Sequence, residues 1–197
     1  MGLMVYSLEN IPQTTNRDYF IYLLDYGWDE PISNVLKDNF NEMAKKSATN
    51  RAVIIKGTEG VHFNNEVFSW HHINGINGDD VLPALLITNQ HPSYFRDHWC
   101  DFKENTALYR ENNEKNMKLI LIPFREFCNT STEVIELIQK IFENIESQKD
   151  INDFSILSEI KKNTSKKNNL LDAVILQPNI SGIGVDLKTL IKEFLPK

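Results

Sequence analysis

All five histidines of this 197-residue chain fall between residues 62 and 98: His62, His71, His72, His91 and His98. Asp97, Cys100 and Asp101 stand beside the last of them. Imidazole, thiolate and carboxylate are the ligands of zinc. One reading of the segment is therefore a metal site built from His71, His72, His91 and His98, holding zinc or magnesium and supporting metal-dependent hydrolysis. The spacings do not single it out. Adjacent His71 and His72 would point apart on a strand and about 100° apart on a helix. The alternative is a set of histidines scattered over surface and core.

A second group of chemically capable side chains lies at Asp25, Asp29 and Glu30, beside Trp28. Three carboxylates close in sequence would suit a magnesium ion or an acid/base pair. They also precede Pro31, and acids just before a proline at the first helical position are ordinary cap chemistry. Cys128 precedes a predicted helix start, where a thiolate would be stabilised. No histidine is near it in sequence, so a small, cap-adjacent core cysteine is the simpler reading. Gly182-Ile183-Gly184 is too short for a phosphate loop, and no Gly-Lys-Ser/Thr follows it. The run Lys161 to Lys167 reads as a solvated basic turn.

Composition narrows the classes further. The hydrophobic fraction is 41% and the charged fraction 24%, which suits a packed globular chain rather than a disordered one. The net charge of −6 argues against nucleic acid as a partner, because phosphate neutralisation needs a basic face. Two cysteines 28 positions apart form no Cys-x-x-Cys and suit a reducing compartment. No apolar run approaches the roughly 18–20 residues of a membrane span. The first ten residues have no signal-peptide pattern. The expectation is a cytoplasmic protein with no membrane contact.

These candidates must be positioned by a strand-helix alternation. Leu3 to Tyr6 is a first strand. Tyr19 to Leu24 is apolar throughout, as in a strand covered on both faces. Ile32, Val35, Leu36, Phe40, Met43 and Ala44 then recur at helical spacing. Arg51 to Ile55 is another buried strand, so the three form a βαβ unit. Residues 61–73 fit neither period. Leu82 to Thr88 and Leu119 to Ile122 are strands, separated by a polar segment at 93–116 that is either a long excursion or a helical insert. Thr130-Ser131-Thr132-Glu133 is a capping box opening a helix with Val134, Leu137, Ile138, Ile141, Phe142 and Ile145 on one stripe. The tail repeats the alternation with a short helix over 153–162, a strand at Ala173 to Leu176, and a last helix capped by Asp186.

Two family resemblances follow from these residues. Trp70-His71-His72-Ile73 with a later His91 resembles the HNH nuclease motif, which sets histidines around one divalent metal. Residues 19 to about 145 more fully resemble a thioredoxin-like fold. In that family a hydrophobic strand runs into a Trp-Cys-Gly-Pro-Cys turn at a helix start. Here Tyr19 to Leu24 runs into Trp28-Asp29-Glu30-Pro31-Ile32, with Asp29 and Ile32 at the cysteine positions. A cis-proline before the third strand is a second landmark, to which Leu82-Pro83-Ala84 is similar. The family's third and fourth strands form a tight hairpin, unlike the insert here, and its closing helix is matched by the one after Thr130.

The expected architecture is α/β: a central mixed sheet with helices on its faces, thioredoxin-like over residues 1–150. Residues 151–197 add a strand-helix extension packed on the same core. The resemblance implies a redox-inactive module, since disulfide exchange requires a thiolate. The expected function is protein binding, as an adaptor or as a subunit of a larger complex, without a cofactor. Trp28, Asp29, Glu30 and Pro83 form the expected contact patch, with Trp70 and Trp99 as further aromatic anchors. The alternative function is a metal-dependent hydrolase or HNH-like nuclease using the His/Asp group at 71–101.

Overall fold

The computed structural model describes residues 1–14, 16–71, 73, 77–97, 118–148, 154 and 174–176. Strand β1 (Gly2–Val5) is followed by a single 3-10 turn at Leu8–Asn10. Then come β2 (Tyr19–Leu24), α1 (Pro31–Thr49), β3 (Ala52–Gly57), α2 (Gly60–Trp70) and α3 (Gly78–Val81). β4 (Ala84–Thr88), α4 (Pro92–Asp97), β5 (Leu119–Pro123), α5 (Phe124–Phe127), α6 (Ser131–Glu146) and β6 (Val174–Leu176) complete the described elements.

The strands form one sheet in the order β1-β3-β2-β4-β5-β6. β2 runs parallel to β3, as the expected crossover through α1 requires, and β1 also pairs parallel with β3. β4 is antiparallel to both β2 and β5. β6 pairs antiparallel with β5, so the tail contributes an edge strand. The result is an α/β chain with a mixed sheet.

Burial follows the two-residue alternation of strands. Tyr19, Ile21 and Leu23 of β2 face one core, shared with Leu36, Phe40 and Met43 of α1 and the apolar stripe of α6. Phe20, Tyr22 and Leu24 face the other, shared with Phe63, Val67 and Phe68 of α2 and with Phe95. β2 therefore has no solvent face, which is why its sequence shows no polar alternation. Leu36, Phe40 and Met43 recur at i, i+4 and i+7 on α1, and burying each contributes roughly 1.5–3 kcal/mol. The capping box at the start of α6 is formed in both directions between Thr130 and Glu133.

Helix α2 and the start of β4 differ from the sequence expectation. Residues 60–70, ambiguous by periodicity, are α2, whose start is capped by Glu59 accepting from the Val61 and His62 amides. Its pattern was obscured because polar Asn64 is buried while apolar Val61 is half exposed. Leu82 and Pro83 precede β4 rather than belonging to it, and the bond between them is cis. Of the two alternatives for 93–116, the described start is helical: α4 buries Phe95 in the second core. The expected short helix over 153–162, apart from Phe154, and the helix after Asp186 lie outside the described residues.

Candidate functional site

The carboxyl end of β2 and the start of α1 meet at an exposed corner, the usual place for function in an open α/β sheet. Asp25 begins the connection. Its Oδ1 accepts from the Gly27 amide and from Ser33 Oγ, both at 3.0 Å. Gly27 has φ +80, a left-handed conformation that ordinary side chains rarely adopt. This turn throws Trp28 outward.

Trp28 is 51% exposed, the only tryptophan so placed among the described residues. Its ring lies 5.2 Å from that of Tyr26 and 5.9 Å from the Arg125 guanidinium carbon. Arg125 sits in α5, immediately after β5, and donates to Glu30 Oε1 at 2.6 Å. The Phe124 amide donates to the Pro83 carbonyl at 2.9 Å, tying this strand end to the cis peptide. Burial, and next the Asp79 carboxylate, push the Tyr26 hydroxyl above its usual titration range. Tyr26 Oη also abuts Gly78, where an added Cβ would collide with it. The tryptophan is thus propped on two sides while a face remains open to solvent.

The expected acid group does not converge. Asp25 serves the turn, Asp29 accepts from Asn34 Nδ2 at 2.9 Å, and Glu30 pairs with Arg125. Glu30 does occupy the N-cap of α1, but its side chain makes no cap hydrogen bond. The Arg125 pair takes that carboxylate instead. Trp28, Asp29 and Glu30 share the exposed corner, whereas Pro83 is buried beside β4. Trp70 is partly buried against the second core, with Arg96 5.4 Å from its ring. Trp99 lies outside the described residues.

The histidines are dispersed as far as they are described. His62 stacks on Tyr6 at 4.6 Å, on the exposed side of α2. His71 is buried, with Nδ1 2.8 Å from the Val67 carbonyl oxygen and its ring against Tyr22 and Phe95. His91 places Nδ1 2.8 Å from Ser93 Oγ and Nε2 3.2 Å from the Pro12 carbonyl oxygen. Among the described residues no group of three His, Cys, Asp or Glu side chains could hold a metal ion. His72, His98, Cys100, Asp101 and the side chain of Asp97 lie outside that description.

Cys128 is buried between α5 and α6, and burial, then the Glu133 carboxylate, raise its thiol from 9.0 to about 11. The helix start does not activate it, because burial and then the negative charge of Glu133 favour the protonated thiol. No helix among the described residues is long and apolar enough to cross a membrane.

Arg125 was not legible as a site residue. It reaches Glu30 across 95 positions of chain, and only the β2-β4-β5 order brings the two strand ends together. No family model, curated protein or solved structure matches this chain.

Proposed function

We propose that this chain is a redox-inactive, thioredoxin-like protein-binding module that recognises its partner through the corner around Trp28. The family reading is supported by several landmarks together. A buried strand enters a helix through Trp28 and Pro31; the Leu82–Pro83 bond before β4 is cis; β4 and β5 are antiparallel; and α6 packs beside α1. Asp29 and Ile32 stand where that family carries its cysteines, so the corner has no sulfur nucleophile.

The observation that carries the binding reading is Trp28 itself. An indole 51% exposed yet braced by Tyr26 and Arg125 offers a large apolar surface already held in place. Ordering such a side chain on binding costs little, and tryptophan is enriched among residues that dominate interfaces. Asp29 and Asp79 flank the corner, with Glu30 engaging Arg125. The fitting partner is a protein segment with an apolar anchor and a neighbouring basic group.

A photoreactive side chain introduced at Asp29 tests this. The reading expects one discrete cross-linked adduct, suppressed by excess unlabelled wild-type protein and not by excess Trp28→Ala. Equal suppression by both competitors, or no discrete adduct, would overturn it.

A further inference from the structure

We infer that a second site, a cleft at the carboxyl ends of β1, β3 and β2, binds a small amphipathic carboxylate. The cleft measures about 320 Å³, at the lower end of small-ligand sites. Met4, Leu23, Asp25, Lys37, Lys56 and Gly60 line it.

Register builds its floor. Met4 pairs with Lys56 and Leu23 pairs with Lys56, so the three side chains share one face at the ends of adjacent parallel strands. That face is the one covered by α1, as the burial of Leu23 with Phe40 records. Toward α1, Lys56 Nζ lies 4.5 Å from the centroid of the Phe40 ring, and Lys37 of the same helix reaches the cleft. At the other wall the start of α2 closes on β2. A Cβ at Gly60 would stand 2.5 Å from the Asp25 carbonyl oxygen.

The charges are unbalanced. Neither Lys37 nor Lys56 has a carboxylate within ion-pair distance among the described residues. The lining acid, Asp25, has Oδ1 committed to the Gly27 amide and Ser33 Oγ. Two ammonium groups against one carboxylate leave one positive charge in a partly enclosed cleft, on a chain whose net charge is −6. Low-dielectric walls strengthen the pull on one anionic head. Met4, 59% exposed at the same rim, supplies the surface for an apolar tail. A singly charged carboxylate with a short aliphatic chain satisfies both features, whereas a phosphate dianion would crowd Asp25.

Titration of the full chain with sodium octanoate, inorganic phosphate and octylammonium, followed by backbone amide shifts, tests the assignment. Saturable octanoate binding is expected, with shifts concentrated at residues 25–27 and 56–60. Lys56→Met should weaken it tenfold or more. Lys37→Met, on the exposed side of α1, should weaken it at least threefold and serves if the first variant unfolds. Octanoate affinity unchanged in the folded variants, no saturable binding, or phosphate or octylammonium binding as well as octanoate would overturn the proposal.

Discussion

Arg125, just after β5, bonds Glu30, just before α1, at 2.6 Å, although 95 positions of sequence separate them. The contact bridges the ends of strands that are not neighbours, since β4 lies between β2 and β5. It also sets the guanidinium beside Trp28. One arginine therefore fixes the helix start and braces the exposed indole.

Removing this bridge should cost little stability and much order. The side chains of Arg125 and Glu30 are 34% and 26% exposed, so solvent still screens the pair. Arg125→Met should lower stability by about 0.5–1 kcal/mol in urea unfolding, within the range for screened ion pairs. A double-mutant cycle with Glu30→Gln should return most of that loss as coupling. In a Trp70→Phe, Trp99→Phe background, Trp28 fluorescence anisotropy should fall in the variant, because one of its two braces is gone.

Gly27→Ala isolates the backbone requirement of the corner. Nothing lies within 4 Å of a Cβ built there, so no collision contributes. The φ of +80 alone should destabilise the variant by about 1–2 kcal/mol, the cost of a left-handed conformation for an L-residue. Unchanged thermal unfolding would mean that the turn relaxes to another conformation.

Thr130→Ala should destabilise the chain by about 1 kcal/mol, because it removes the acceptor for the Glu133 amide at the start of α6. Thr130→Ser keeps that acceptor and should stay within a few tenths of a kcal/mol. The contrast separates capping from the loss of a methyl group, and equilibrium unfolding reads it.

Cys128 should be inert. With its thiol raised to about 11, it holds its proton across the neutral range. In a Cys100→Ser background, alkylation at pH 8 should run at least about a hundredfold slower in the native than in the denatured chain, from the thiolate fraction alone. The sign for stability follows. The unfolded thiol ionises first, so the contribution from burying it neutral is complete below about pH 9 and is lost as pH rises toward 11.

Legibility in the sequence followed the range of the interactions. β2, α1, β3, β5 and α6 were readable because Tyr19–Leu24, Leu36/Phe40/Met43 and the Thr130–Glu133 box are local patterns. α2 was not, because Asn64 is buried and Val61 exposed, against the direction of their polarity. At the corner, Trp28, Asp29 and Glu30 were recognisable as neighbours of Pro31, but the directions of the three acids were not. Glu30 occupies the cap position that Pro31 predicts, but its side chain meets an arginine from the far end of the sheet. The sequence places Pro83 in the contact patch, whereas it lies buried with its carbonyl accepting from the Phe124 amide. The Lys37–Lys56 cleft arises from strand register, which no local pattern encodes.

The proposed recognition role of Trp28 is tested most directly by the dissociation constant of a partner captured at Asp29. Titration calorimetry should compare wild type, Trp28→Ala and Ile135→Ala, the last removing another exposed apolar side chain on α6. Trp28→Ala should weaken binding at least about tenfold, as for an interface anchor, with Ile135→Ala within twofold of wild type. Equal affinity for wild type and Trp28→Ala would contradict it.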